Sequence, residues 1–382
     1  MSMARTHEQV LLADGAAQLL AQHWRFEQRR AAPAQRSAAL RTLWRHAAQL
    51  GWAGIGLPEQ FGGAGGLAES IIVLEALGRA LVPLPFCASV VLGGHAVATL
   101  GTARQQQAIL PDLAQGRMTL AVALHEPGAG PDPADVATSA RRADGHWVLS
   151  GRKLVLLDGA EADQVLVVAR MSGERRDRFG LGLFLLPAGT DGLAIHRYRT
   201  FDGGDAADLA LDRARLSDDA LLGASDEAWP HVALLADRAI VALCGEAVGV
   251  MGAALEITLD YVRTRQQFGR AIGGFQVVQH RLADAYVAVE EARSLLAAAV
   301  EAFDAGDAAR RRLVSAAKVQ IGRSGRLVGE EAIQLHGGIG MTEDYRIGHH
   351  YKRLVAIDSL FGDADHHLGL LADGLVARPG SQ

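Results

Sequence analysis

The chain has 382 residues, 49% of them apolar and 21% charged, which is ample for two or three domains with sizeable cores. A net charge of −5 excludes a nucleic-acid binder with a broad basic face. Two cysteines, Cys87 and Cys244, exclude a disulfide framework or a multi-cysteine zinc site. The start, MSMARTHEQV, lacks a signal-peptide pattern, and no run reaches the roughly 18 uncharged apolar residues of a membrane span. A soluble, cytoplasmic protein of a reducing compartment is expected, binding neither nucleic acid nor membrane.

Residues 1–117 predict a helical domain, with apolar positions at helical spacing such as Leu40, Leu43 and Ala47, or Ile71, Leu74 and Gly78. The glycine-rich stretch Phe61–Gly66 and the turn at Pro83–Pro85 interrupt it. No βαβ unit surrounds those glycines, so a structural loop is expected rather than a dinucleotide fingerprint. Residues 118–228 predict a compact antiparallel β domain. Its short apolar runs are Leu120–Leu124, Trp147–Leu149, Leu154–Leu157, Val165–Ala169, Leu183–Leu186 and Leu193–Tyr198. Residues 229–382 return to helix periodicity. Ile240, Leu243, Ala247, Val250 and Ala254 mark one long helix, Val278, Leu282, Val289 and Leu296 a second, and Leu313, Ala317, Ile321 and Val328 a third. Amphipathic helices of this length, joined by short turns, predict a four-helix bundle.

Several stretches are more specific. Gly54-Ile55-Gly56-Leu57-Pro58-Glu59-Gln60-Phe61-Gly62-Gly63 and His125-Glu126-Pro127-Gly128-Ala129-Gly130-Pro131-Asp132 resemble segments of the acyl-CoA dehydrogenase family. The strongest matches are Tyr261-Val262-Arg263-Thr264-Arg265-Gln266-Gln267-Phe268-Gly269 with Phe275-Gln276, and Gln334-Leu335-His336-Gly337-Gly338-Ile339-Gly340. The resemblance spans nearly the whole chain in order. It implies an α+β fold with an N-terminal helical domain, a central β-barrel-like domain and a C-terminal four-helix bundle carrying oligomerisation. It also implies an FAD flavoprotein of lipid metabolism and β-oxidation, an oxidoreductase that converts an acyl-CoA thioester to the 2,3-enoyl-CoA. Family members are tetramers in which the adenosine-diphosphate end of each flavin is held by a neighbouring subunit, and an electron-transferring flavoprotein is the expected acceptor.

By resemblance, Arg265, Phe268, Gln276, Gln334, Gly337 and Gly338 are the cofactor-binding residues. The chemistry suits them. A guanidinium fork pairs bidentately with phosphate oxygens, an amide offers donors and an acceptor, and glycines let backbone approach an anion without a Cβ in the way. Taken singly each has a plain alternative: a solvated arginine, a core phenylalanine, surface glutamines, or a helix C-cap turn.

The other half of the expected site is missing. The family's glutamate base falls 21 residues after the last glycine of this motif, which here is Phe361. The alternative family position on the first bundle helix is Ala239. Val155 and Leu157, ahead of Asp158-Gly159, stand where the family commonly places a tryptophan and a threonine against the flavin. Pro131 replaces a serine, His125 a threonine, and Ile240, two places after Arg238, an arginine near the CoA site. The pattern resembles the non-catalytic subunits of heteromeric acyl-CoA dehydrogenases, such as pimeloyl-CoA dehydrogenase small subunits and the paired sterol side-chain enzymes. A heterotetramer with a homologous partner is therefore expected.

Two alternatives stay open. One is a homotetramer in which Glu246, on nearly the same helix face as Ala239 but roughly 10 Å along the axis, replaces the base. The other is a flavin-free structural or regulatory homologue. Asp358 and Asp363 flank Phe361 as weaker carboxylates. The pairs His349-His350 and His366-His367 lack a third ligand at zinc spacing, so no metal is expected and surface or subunit contacts are the expectation for them.

Overall fold

The computed structural model describes residues 5–157, 159–223, 228–307 and 309–376. The first helices are α1 (His7–His23), α2 (Phe26–Arg30), α3 (Pro33–Gln49), α4 (Leu67–Ala80), α5 (His95–Leu100) and α6 (Ala103–Ala114), with a buried π-helical stretch at Cys87–Gly94. The strands follow as β1 (Leu120–Ala123), β2 (Ser139–Ala143), β3 (His146–Leu157), β4 (Gln164–Arg170), β5 (Leu181–Pro187), β6 (Leu193–Arg199) and β7 (Asp205–Leu216). Then come α7 (Trp229–Thr264), the two-residue strands β8 (Gln266–Gln267) and β9 (Arg270–Ala271), α8 (Gln276–Asp304), α9 (Arg310–His336), α10 (Arg346–Ser359) and α11 (Ala364–Val376).

The chain divides into two compact units, one of residues 1–36, 67–82 and 240–382, the other of residues 37–66 and 83–239. In the first, α9 packs against α8, α10 and α11, and α1 against α4. Helices α4 and α7 meet backbone to backbone because glycines stand at the contact. A Cβ added at Gly78 would lie 2.1 Å from the Glu246 carbonyl oxygen, and one at Gly249 would lie 2.0 Å from that of Glu75. Any side chain at either position would force the helices apart. By length and composition α7 could cross a membrane, but 89% of its most apolar window is buried by the chain itself, as in a core helix. Cys244, in its middle, is fully buried, and burial pushes its thiol up to about 12.

The second unit carries the sheet, in the order β1-β4-β2-β3-β7-β6 with β5 on β4. The sheet is not wholly antiparallel as expected: β1 runs parallel to β4, and β2 meets β4 in a parallel contact at Ser139 and Arg170. The runs at 147–149 and 154–157 belong to one strand, β3, which pairs with β7 through two register shifts. The core between strands holds Leu149, Leu156, Val165, Val167, Phe184, Leu186, Leu209 and Leu211. In the glycine-rich loop, a Cβ at Gly63 would lie 1.9 Å from the Leu57 carbonyl oxygen, so close backbone packing accounts for that glycine.

Candidate functional site

At the end of α7 the chain turns into the β8–β9 hairpin. Its two turn residues, Phe268 and Gly269, both take positive φ, +53° and +77°, as a type I′ turn requires. Phenylalanine is a poor residue for that conformation, and its ring is nonetheless 90% exposed. Phe268 and Phe275 meet in a T-shaped pair with centroids 6.1 Å apart, and the Phe275 ring carries the Arg270 guanidinium 4.0 Å from its centroid. Arg265 is fixed through its backbone, its N–H donating to Tyr261 (2.8 Å) and its carbonyl accepting from Ile272 (2.9 Å). Its guanidinium is exposed and makes no hydrogen bond or ion pair among the described residues. Gln276, the first residue of α8, is also exposed.

A second limb comes from the end of α9. Gly337 takes φ +65° and returns its N–H to the Gln334 and Ile333 carbonyls, closing the helix. The three glycines then part company. A Cβ at Gly340 would lie 3.1 Å from that of His336, so Gly340 is tightly packed, whereas Cβ atoms at Gly337 and Gly338 would meet nothing within 4 Å. Gly338 has neither a close neighbour nor a positive φ to explain it. Tyr261, one turn before Arg265, stacks on His336, the residue before Gly337, with ring centroids 4.3 Å apart. That contact brings the hairpin and the glycine turn to one corner of the same unit. An unpaired guanidinium, two exposed amides and open backbone are the donors a phosphate ester takes.

The carboxylates proposed in place of a base are differently occupied. Glu246 is held by Arg353, Nε to Oε1 and a terminal nitrogen to Oε2, both at 2.6 Å, with the two side chains only 14% and 18% exposed. Both its oxygens are engaged by one guanidinium. Phe361 is buried, at φ +58°, in the turn after α10. Lys318, fully buried on α9, donates to the Ile357 carbonyl and to that of Asp358 (3.1 Å). His367 Nε2 lies 3.0 Å from the Phe361 carbonyl and Nδ1 lies 3.1 Å from Ser315 Oγ. A carbonyl only accepts, so Nε2 carries the proton and Ser315 donates to Nδ1. Asp358 is half-buried against Gly322, and Asp363 caps α11 by accepting from the His366 N–H (2.9 Å).

The histidine pairs need correcting. His349, His350 and His367 are buried rather than at the surface, and no cluster among the described residues has the three side chains a metal would need. His349 packs edge-on against Phe26 at 4.9 Å. Burial lowers His350 and His367 to about 4 each, so both stand neutral in the core.

In the sheet unit, Val155 takes φ +51°, an outlier for a β-branched residue, within the second register shift of β3. Its N–H donates to Asp208 Oδ1 (3.0 Å), which also accepts from the Tyr198 hydroxyl (2.9 Å). Burial, reinforced by Asp208, raises the Tyr198 phenol to about 12. Asp158 lies outside the described residues. Ala239 and Ile240 are buried, and Arg238 donates to the Val91 carbonyl (3.1 Å). The segment after His125 is organised by a pair that sequence reasoning missed. Glu126 accepts from Lys153 (2.6 Å) and from the N–H groups of Ala137 and Thr138, and both side chains are almost wholly buried. Burial alone would raise the Glu126 carboxyl, but the Lys153 ammonium and the two amides hold it below the usual range. Nothing local marks this pair, since its partners lie 27 residues apart.

Residues 6–117, 121–214 and 233–376 match the models of the acyl-CoA dehydrogenase N-terminal, middle and C-terminal domains. Acyl-CoA dehydrogenase FadE12 of Mycobacterium bovis is 32% identical over 318 residues, 80% of either chain. Among solved structures, the Tcur3481–Tcur3483 steroid ACAD variant is 34% identical with TM-score 0.83, covering 96% of this chain and 97% of its own. The ChsE4–ChsE5 complex from Mycobacterium tuberculosis is 26% identical with TM-score 0.86, covering all of both chains.

Proposed function

The chain belongs to the acyl-CoA dehydrogenase family of FAD-dependent oxidoreductases acting on CH–CH bonds, and on that premise we propose that it is the base-deficient subunit of a heterotetramer. In this role it lends a diphosphate-binding corner to a homologous partner that holds the flavin ring and the catalytic carboxylate. FAD, when bound, supplies the hydride acceptor for the substrate's β carbon. The residues fit its diphosphate end: Gly338 leaves backbone open where a Cβ would stand, and the Arg265 guanidinium is free to pair. Arg265 holds the phosphate charge, Gln276 and Gln334 offer amides beside it, and Phe268 covers an apolar edge of the cofactor.

The observation that carries the proposal is the exposure of this corner, with Phe268 at 90% and its strained turn unrepaid within the chain. Other apolar side chains of the same unit are open as well, including Met341 (75%), Val277 (66%) and Tyr286 (58%), as a subunit contact would leave them. Phe361 has no group able to take a proton, and the engagement of Glu246 by Arg353 argues against a displaced base. An unpaired arginine beside an exposed phenylalanine favours a bound cofactor over the flavin-free homologue. Likeness to a steroid ACAD and to a two-protein complex supports both a partner and a sterol-derived acyl-CoA as the first substrate class to assay. An electron-transferring flavoprotein is the proposed acceptor.

The test is the visible spectrum of the chain purified alone and co-expressed with candidate partner dehydrogenases. About one FAD per heterodimer, with little in the isolated chain, is expected. A stable, FAD-replete and active homo-oligomer of this chain alone would overturn the proposal.

A further inference from the structure

Three aromatic rings from three separate segments meet behind the diphosphate corner. His336, the last residue of α9, is 3% exposed. Its Nδ1 lies 2.8 Å from the Ala332 carbonyl and its Nε2 lies 3.3 Å from the Tyr345 hydroxyl. The carbonyl only accepts, so Nδ1 bears the proton and Nε2 accepts from Tyr345. On one side Tyr261 of α7 stacks on the imidazole and donates through its hydroxyl to the His336 carbonyl (3.4 Å). On another, the ring of Tyr345, the residue before α10, lies 5.1 Å away at 47°. Every polar atom of the imidazole is thereby assigned, and each contact leads to a segment that borders the corner. Tyr261 is four residues before Arg265, whose N–H it binds; His336 is bonded to Gly337; and Tyr345 closes the loop that begins at Gly338.

We propose that Tyr261, His336 and Tyr345 form a clamp that fixes the spacing between the Arg265 hairpin and the Gly337–Gly338 turn, so that FAD affinity depends on residues that never touch the cofactor. The inference rests on the assignment of that corner to the FAD diphosphate. The physical basis is that neither limb is rigid alone. The hairpin has only two-residue strands and a strained turn, and the glycine turn has no side chains to pack. A bidentate grip on phosphate tolerates little displacement of its donors. His336 is thus a positioning residue, and the neutral form is the one that serves, because a protonated imidazole could not accept from Tyr345. Burial keeps it in that form by lowering it from its ordinary value. The other titratable groups in contact with it are Tyr261 and Tyr345, and the charge of Arg346 acts on Tyr345.

The test measures FAD affinity, by quenching of flavin fluorescence, and melting temperature on the full chain in its assembled form. The variants are His336→Phe, which keeps a ring but loses both hydrogen bonds, Tyr345→Phe, His336→Gln, and Arg265→Ala as the reference for the corner itself. Roughly tenfold weaker FAD binding is expected for His336→Phe and a several-fold loss for Tyr345→Phe, on the scale of one or two buried hydrogen bonds. His336→Gln, which restores one donor and one acceptor, should recover most of the affinity, a rescue that a general packing role would not produce. If Arg265→Ala weakens FAD while the clamp variants bind as the parent does, the clamp is wrong and the corner stands. If Arg265→Ala leaves FAD affinity unchanged, the assignment of the corner falls and the clamp falls with it.

Discussion

Two strained residues, Phe268 and Val155, occupy the same left-handed backbone region, at φ +53° and +51°, and their surroundings could hardly differ more. At Val155 the strain is answered within the chain. Its amide is bound by Asp208, Tyr198 holds the same carboxylate oxygen, and nearby Glu126 and Lys153 pair in a wholly buried site. At Phe268 only the Phe275 ring and the short hairpin pairing answer it among the described residues: the ring is exposed, Arg265 is unpaired, and Gly337 and Gly338 look onto open space. Strain that is compensated internally marks architecture. Strain left open at the surface is what the proposed cofactor and partner contact would compensate.

The contrast makes the two regions fail differently when altered. The largest effect should be Lys153→Ala, which strands a buried carboxylate and should cost about 3–5 kcal/mol in chemical denaturation. A loss below about 1 kcal/mol would mean that the amides of Ala137 and Thr138 suffice to hold Glu126. Next, Arg265→Ala should weaken FAD about 10- to 100-fold, the worth of charge-assisted hydrogen bonds, with the melting temperature unchanged. An equal loss of fold stability would erase the distinction between the regions. Smaller and sharper is the glycine pair. Gly340→Ala should destabilise by about 1–3 kcal/mol through the contact with His336, whereas Gly338→Ala should leave stability intact and weaken FAD. Calorimetry beside a cofactor titration separates them, and a reversed pattern would refute the open-backbone account.

A further effect, read as a slope rather than a single loss, is in the pH dependence of folding. His350 and His367 are lowered to about 4 by burial, below the ordinary histidine value of 6.5. The unfolded chain therefore binds protons that the folded chain refuses. Stability is complete above about 6.5 and falls as pH drops from there through about 4, by up to one proton per histidine. His367→Gln should flatten the slope of melting temperature against pH across that window. An unchanged slope would show that His367 titrates normally and that its burial does not disfavour the protonated ring.

Long helices were legible because their apolar spacing matches a 3.6-residue period and nothing in the tertiary structure opposes it. Strands were legible only where they are apolar. β7, with the sequence Asp-Ala-Ala-Asp-Leu-Ala-Leu-Asp-Arg-Ala-Arg-Leu, and β2, Ser-Ala-Arg-Arg-Ala, carry little β propensity. They are strands because β3 lies between them and supplies the pairing. The parallel β1–β4 pair is likewise invisible locally, since it joins segments more than 40 residues apart. The six residues proposed for the diphosphate corner could be named because each sits in a contiguous motif. The clamp proposed at His336 and Tyr345 could not, because it rests on a ring stack and a tautomer that exist only once α7, α9 and the start of α10 have packed.

The sequence by itself determined the family, the α-β-α order, the cofactor and the absence of a proton acceptor at position 361. All of these are carried by residue identity at short range. Tertiary structure alone decided that Glu246 is occupied by Arg353, that Glu126 and Lys153 share a buried site, and that Phe268 is strained and bare. Each of those depends on groups brought together by folding, and on whether burial leaves a charge paired or free.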